Sequence, residues 1–567
     1  MAPAALAVRA RTPVFRDPTG SARTLAADLI LTNATVHTVD SARPHATTLA
    51  VEGGRVLSLD EVVPGPGTEV RDLGGAFVMP GLVDVHNHHA LAGRSALFEL
   101  GFGGDHGFEA ILDAVRDWSR DLGPDEWVVG GAWASTLVET LSRESARHAL
   151  DAAAAGRPVM LTDDSRHNRW VSSRALELAG VTAATPDPAG GVIVRDPATG
   201  APTGVLLEAA GVQVERAVRK TGTLTEEQHA RASRHAIGVL HSYGITAFQD
   251  AGVSVDILNA LKTLDDAGEL AAWVVSSLLV NDPIFGFDPI GSELMALAGR
   301  YRGEHHRPDF VKIFLDGVPP TRTAAFLEPY LPDDVHGACF HGAPTMPPAE
   351  LEGWLRAAAT AGLSAKIHCT GDAAVRATLD AVEKLRGEGH TETRFQVAHG
   401  QFVHPDDLAR FGALGVAADI SPFLWVPGVI PSAIANVLPA DRASRMQPNR
   451  SLLDSGALVA GGSDWPVSES PNAWEGIQGL VTRQDPAGAH PGALWPEQAI
   501  TLTEAVEAFT LSGARAMGVD DVTGSLTPGK SADFVILDRN PFESAIGDLY
   551  TTAVTETWFA GRQVFKR

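Results

Sequence analysis

Cysteine is nearly absent: Cys339 and Cys369 are the only two in 567 residues. That scarcity excludes a disulfide framework and any zinc site built on several thiolates. Long apolar runs are missing too, and nothing approaches the roughly 18 consecutive residues of a spanning helix. There is no Lys/Arg cluster. With 45 basic against 69 acidic residues the net charge is −24, which argues against a nucleic-acid groove or an anionic membrane surface as partner. The first residues, Met1 to about Ser21, are rich in Ala, Arg and Pro and lack the continuous apolar stretch of a secretory signal. No internal repeat or low-complexity tract stands out. The expectation is a soluble, cytoplasmic protein that handles a small molecule, with a flexible tail over residues 1–22.

What is present is ordinary globular composition, 44% hydrophobic and 20% charged, on a chain too long for a single core. From Asp28 the pattern is short and β-like, with Gly53-Gly54 as a hairpin turn between Leu49-Ala-Val-Glu and Arg55-Val-Leu-Ser-Leu. The C-terminal stretches Gly529–Asp538 and Ala553–Phe565 have the same texture. Neither end is apolar enough to hold a core alone, so residues 23–80 and 520–567 are read as one β-sandwich. Between them, apolar runs alternate with helical Ala/Leu/Glu/Arg segments, the signature of β/α units around a parallel sheet. Candidate strands are Leu82–His86, Ile245–Asp250, Ala272–Leu279, Phe310–Leu315, Ala365–His368, Phe395–His399, Val416–Ile420 and Leu458–Ser463. Eight of them match a (β/α)8 TIM barrel over residues 81–519. The first and second are separated by far more chain than one helix requires, so residues 90–240 are read as an insertion over the barrel mouth.

Barrel enzymes carry their chemistry at the C-terminal ends of the strands, and those ends hold a distinctive set. The first is Val83-Asp-Val-His-Asn-His88, whose His86 and His88 project to one side of an extended chain and can reach one cation. The fourth carries Lys312 inside an apolar run, where an unpaired ammonium is costly. It either pairs with an acid such as Asp316 or serves as a lysine carboxylated by CO2 that bridges two cations. The fifth ends in His368, the sixth in His399 and the eighth in Asp464, which is either a helix N-cap or a metal-bound general base.

This ordered pattern resembles the amidohydrolase superfamily, from Asp28 to the C-terminus. More narrowly it resembles the amidohydrolase family 3 branch that includes N-substituted formamide deformylases. The branch-like residues are Val311–Gly317, Arg322–Ala325 with Leu327–Tyr330, Ile367–Asp372 and Gly462–Asp464, with His167 and Trp170–Leu176 in the insertion. The resemblance implies a divalent metal, Zn2+ above others, as one or two ions. It places His86 and His88 on the more buried ion, His368 and His399 on the more exposed one, N6-carboxylated Lys312 between them, and Asp464 on the buried ion. His89 is taken as a non-ligand. Val318-Pro-Pro-Thr321 departs from the branch pattern and bears on pocket shape.

The expected activity is hydrolysis of a carbon–nitrogen, non-peptide amide bond in a small N-substituted amide or formamide by a metal-activated hydroxide. Asp464 is the expected general base and acid, and His167 the expected hydrogen-bond donor to the substrate. Asp84 and Asp372 are candidates for fixing histidine tautomers, and Trp133, Phe423, Trp425 and Trp465 for an apolar pocket. Alternatives are a deaminase, or an esterase or lactonase, of the same superfamily, and a non-catalytic metal-binding regulatory protein. A deaminase would carry a glutamate shortly after His368, where this chain has Cys369-Thr-Gly-Asp372. Metal identity and physiological substrate stay open, and so does the assembly, for which a homodimer is one expectation.

Overall fold

The structure is a computed structural model that describes residues 27–103, 106–221, 224–282 and 284–567. It also describes the backbones of Phe15–Arg16 and Ala22–Arg23, which pair antiparallel. The rest of the tail expected over residues 1–22 lies outside the described residues. The strands of an eight-stranded parallel sheet are β1 (Leu82–Asn87), β2 (Ile245–Val253), β3 (Trp273–Leu279), β4 (His306–Phe314), β5 (Ser364–Cys369), β6 (Phe395–His399), β7 (Val416–Ile420) and β8 (Leu458–Gly461). They neighbour one another in sequence order. The seam between β8 and β1 is drawn together at its C-terminal end by a parallel bridge between Asn87 and Trp465. There Asp464 N donates to His86 O at 2.6 Å and His88 N donates to Trp465 O at 2.8 Å.

The strands form because short, largely apolar runs, such as Phe395-Gln-Val-Ala-His and Val416-Ala-Ala-Asp-Ile, are covered on both faces, and every residue of β6 and β7 is buried. Outside, Leu258, Leu261, Leu355, Val375, Leu379 and Leu480 pack from the surrounding helices onto the sheet. Inside, Val83, Val85, Val275 and Phe310 meet Ala514 and Met517 of the helix Leu511–Met517, which fills the N-terminal end of the barrel.

The two ends of the chain meet in two further sheets. The six-stranded one runs Arg562–Lys566, Val554–Phe559, Phe534–Leu537, Phe77–Pro80, Thr35–His37, His45–Ala46, and the four-stranded one Arg55–Leu59, Leu49–Glu52, Leu29–Thr32, Glu69–Asp72. Leu31 and Leu49 from one sheet pack with Val36, Val78, Phe534 and Trp558 from the other, which makes a sandwich. Gly53 and Gly54 take φ of 54° and 75° at the hairpin between Leu49–Glu52 and Arg55–Leu59, a turn that needs two left-handed residues.

The long crossover after β1 contains its own six-stranded sheet: Leu100–Gly101, Val128–Trp133, Val159–Asp163, Arg169–Val171, Pro202–Glu208 and Gly191–Arg195 in spatial order. Its core, around Ile111, Val128, Leu150, Leu161 and Trp170, is separate from that of the barrel. Two segments inside the span 90–240 pack with the barrel instead. Ala90, Leu91 and Ala92 of the helix His89–Phe98, and Ala236, Ile237 and Leu240 of the helix Glu226–Ser242, join the barrel core. The periodic apolar face of the second helix, Ala236-Ile-x-x-Leu240, marks it as a barrel helix. No helix among the described residues is long and apolar enough to cross a membrane.

Candidate metal centre

His86, His88, Lys312, His368, His399 and Asp464 line one cleft of about 910 Å³, brought there from β1, β4, β5 and β6 and the turn after β8. His86, His88 and Asp464 offer ligand atoms that all lie within 4.8 Å of one another. Asp464 Oδ1 is 3.5 Å from His86 Nε2 and 3.6 Å from His88 Nε2, and its Oδ2 is 3.9 Å from His399 Nδ1. The His399 ring is 4.7 Å from that of His86 and 4.6 Å from that of His368, between centroids.

Two of these ring nitrogens, His86 Nε2 and His399 Nδ1, are buried without a hydrogen-bond partner; on His88 the unpartnered nitrogen is Nδ1, 4.0 Å from Asp250 Oδ1. Unsatisfied buried polar atoms are rare and need a reason. Burial drives the pKa of His86, His368 and His399 well below the ordinary value, and that of His88 to about 3. Neutral imidazoles with lone pairs aimed at a carboxylate are a donor set that fits a divalent cation. His368 Nε2–H donates to Gly317 O at 3.1 Å, which leaves its Nδ1 as the donor nitrogen for an ion.

Lys312 is 1% exposed, and burial, with Lys366 nearby, lowers its pKa to about 7. Among the described residues its Nζ makes no hydrogen bond. Asp316, the partner considered for it, instead accepts the N–H groups of Thr370 at 2.9 Å, Gly371 at 2.9 Å and Ala325 at 3.0 Å. Burial raises the Asp464 pKa to about 7. No helix is capped by Asp464; its backbone is in the left-handed region at φ 56°, as is His399 at φ 69°. Such conformations in non-glycine residues are held by their surroundings and cluster at functional sites. Gly462 is needed for the close approach, because a Cβ there would lie 2.5 Å from His86 Cβ.

The tautomers are fixed by acids other than those expected. His86 Nδ1–H donates to Asp419 Oδ2 at 2.7 Å, and the same oxygen accepts from Lys366 Nζ. Lys366 Nζ also donates to Val85 O at 2.9 Å, and Lys366 and Asp419 are both fully buried. Asp84 accepts from His86 N and from Ser463 N and Oγ, so it fixes backbones rather than a ring. Asp372 accepts Leu327 N at 2.8 Å and caps nothing with its side chain. His89 is engaged on both ring nitrogens, with Asp250 at 2.6 Å and Ser233 at 3.2 Å, which leaves it no lone pair for an ion.

The insertion supplies the far wall. His167 Nδ1 lies 2.8 Å from Glu208 Oε2, whose other oxygen accepts from Thr323 Oγ1 at 2.7 Å. The His167 ring stands 5.5 Å from that of His368. Although burial acts against it, the charge of Glu208 raises its pKa. Beside His167 the insertion adds the polar Ser135, Asp164, Ser165 and Arg166, and an apolar part of the wall is made by Leu91, Phe285, Phe314, Leu424 and Trp425, with Val318-Pro-Pro320. Of the four aromatics expected at the pocket only Trp425 reaches it. Trp133 donates its Nε1–H to Leu161 O inside the insertion core, Phe423 packs edge-on against Phe509, and Trp465 joins the barrel core.

A parallel barrel with histidines at the ends of β1, β5 and β6, a buried lysine in β4 and an aspartate after β8 defines the class of metal-dependent barrel hydrolases. Comparison with known proteins agrees. The family model described as "Amidohydrolase family" (Amidohydro_3) matches residues 69–565, and the chain belongs to that family. It is 31% identical over 555 residues to the protein LONG AFTER FAR-RED 3 of Arabidopsis thaliana, covering 95% of this chain and 92% of that one. To the N-substituted formamide deformylase of Arthrobacter pascens it is 29% identical over 557 residues, covering 95% and 98%. An uncharacterized metal-dependent hydrolase from Pyrococcus horikoshii shares the fold, with a TM-score of 0.70 and 23% identity over 92% of this chain and 99% of that one. The protein is accordingly an enzyme of the amidohydrolase superfamily, a class that implies a divalent metal.

Proposed function

We propose that the enzyme hydrolyses the carbon–nitrogen bond of small N-substituted amides, with N-substituted formamides as the substrate class. The observation that carries this reading is the set of unpartnered, neutral imidazole nitrogens around Asp464 at the floor of a partly apolar cleft. His86, His88, His368, His399 and Asp464 would hold one or two divalent cations, zinc first, with carboxylated Lys312 between them. A bound divalent cation supplies a low-pKa water and polarises a carbonyl.

The remaining work falls to the chain's own groups. Asp464, whose carboxylate stands 3.5 Å from His86 Nε2 and 3.6 Å from His88 Nε2, can take a proton from the attacking water and return it to the departing nitrogen. His167, braced by Glu208 at 2.8 Å, is positioned to donate a hydrogen bond to the substrate carbonyl oxygen, an interaction that strengthens as charge develops there. Lys312, with a pKa lowered to about 7, has the free amine that adds to CO2, forming an N–C bond and releasing one proton. The apolar wall of Phe285, Phe314 and Trp425 suits an alkyl or aryl group on nitrogen, and formamides match the activity of the Arthrobacter relative.

The test is a substrate panel with metal-replete protein, following formate and amine by chromatography and ammonia separately. Formate and amine in equal amounts are expected. Ammonia release would indicate a deaminase, and turnover confined to esters an esterase or lactonase. No turnover of any amide would remove the proposal.

A further inference from the structure

A second, larger cleft of about 1760 Å³ lies between the insertion and the barrel, and Phe285 lines both it and the metal cleft. Its walls are rich in rings and apolar chains, among them Phe98, Trp118, Trp127, Met160 and Phe287. The charges deeper in it are paired, while the carboxylates of Asp125 and Glu126 stand exposed at its edge. Arg219 pairs with Asp256 at 2.7 Å and lies 4.5 Å over the Phe287 ring, Arg94 pairs with Glu99 at 2.5 Å, and Glu215 pairs with Arg169 at 2.5 Å. A cleft with aromatic walls and paired inner charges suits the apolar part of a ligand, and the exposed carboxylates at its edge disfavour an anion.

Phe285 is the partition. Its ring stands 6.4 Å from that of His88 on one side and 5.5 Å from that of Phe287 on the other. The turn that carries it is fastened at both ends. Asp282 accepts the N–H groups of Ile284, Phe285 and Phe287 at 3.0, 2.6 and 2.6 Å, and Arg169 donates to Ile284 O at 3.2 Å. The ring is therefore held by a turn anchored to both the barrel and the insertion.

We propose that the second cleft is an extension subsite for the distal part of long apolar substituents on the substrate nitrogen, and that Phe285 sets the chain length at which it is entered. This rests on the amide-hydrolase reading, since a formamide has its only apolar arm on nitrogen. Two measurements separate the two ideas. The first is kcat/KM across a series of N-alkylformamides, from butyl to dodecyl, for the wild type, Phe285→Ala and Phe285→Trp. The wild type should pass through a maximum. Phe285→Ala should move it to longer chains, gaining about fourfold for each methylene newly buried, and Phe285→Trp should move it to shorter ones. The opposed shifts guard against simple misfolding of one variant.

The second measurement needs no turnover. Trp118 and Trp127 line the second cleft alone, so an N-alkylformamide brominated at its chain end should quench their fluorescence more strongly in Phe285→Ala. That excess should be lost when Trp118→Phe and Trp127→Phe are added. Quenching with this pattern but without hydrolysis would sink the reaction and leave the subsite standing. Hydrolysis with the same chain-length maximum in all three proteins, or quenching indifferent to Phe285, would overturn the subsite.

Discussion

Replacing Asp419 with asparagine keeps the side-chain volume and removes one charge from a closed arrangement. Asp419 is the acceptor for both Lys366 Nζ and His86 Nδ1–H, and all three side chains are fully buried. In Asp419→Asn the Lys366 ammonium is left without a counter-charge in a place water does not reach. Removing one partner of a buried pair costs about 3–5 kcal/mol. The His86 ring also loses the carboxylate that orients it, and such outer carboxylates are worth about 10–100-fold in metal affinity. The two losses separate in the double variant Asp419→Asn/Lys366→Met. Deleting the stranded cation should return most of the stability, while the metal affinity stays low because His86 then meets a neutral amide oxygen in place of its carboxylate. The assays are urea unfolding of metal-free protein, so that bound metal does not contribute, and chelator competition for zinc. If Asp419→Asn binds zinc as tightly as the wild type, or if the double variant regains both properties together, the orienting role of Asp419 is refuted.

Other outcomes follow from the same geometry. Lys312→Ala should lower the bound metal measured by elemental analysis, with partial recovery in the presence of acetate or propionate; unchanged metal content would reject a carboxylated bridge. Gly462→Ala would place a Cβ 2.5 Å from His86 Cβ, an overpacking that costs about 1–3 kcal/mol. Both its metal content and its unfolding midpoint should fall, and normal values for both would contradict the tight seam between β8 and β1. Burial holds His241 down to about 4, with its Nε2–H donating to Ala271 O at 3.0 Å. Its folded pKa lies below the unfolded one, so its contribution is complete above pH 6.5 and is lost as pH falls through 6.5 toward 4. The loss is about 3 kcal/mol. His241→Gln should flatten stability over that window in urea titrations, and a profile parallel to the wild type would exclude the residue as the source.

The barrel was readable because each strand is a short apolar run ending in a chemically distinctive residue, and β6 and β7 begin and end where those runs do. The six residues that line the cleft stand out in sequence for the same reason: His86 and His88 by their spacing, and Lys312 by its position inside Phe310–Phe314. Asp419 carries the same signal as Lys312, one charged residue inside Val-Ala-Ala-Asp-Ile, and Lys366 sits two residues before His368. Neither has a neighbour in sequence that pairs with it, and only the folded barrel brings Lys366 and Asp419 together beside His86. Glu208 could not be paired with His167 from sequence, since a strand and a left-handed turn at φ 49° bring them together. The helix Glu226–Ser242 was assigned to the insertion because its neighbours in sequence belong there, although its apolar face belongs to the barrel.

The seam between β1 and β8 has a consequence for how the protein is made. β1 finds its second neighbour only when β8 exists, several hundred residues later, and Phe77–Pro80 pairs with Phe534–Leu537 later still. At ribosomal speeds of ~5–20 residues per second, the strand that bears His86 and His88 waits tens of seconds with one side unpaired. The insertion, with a sheet and core of its own, can fold during that interval and cover the strand end. The group of His86, His88 and Asp464, drawn from both sides of the seam, is therefore complete only once β8 and the turn after it have been synthesised.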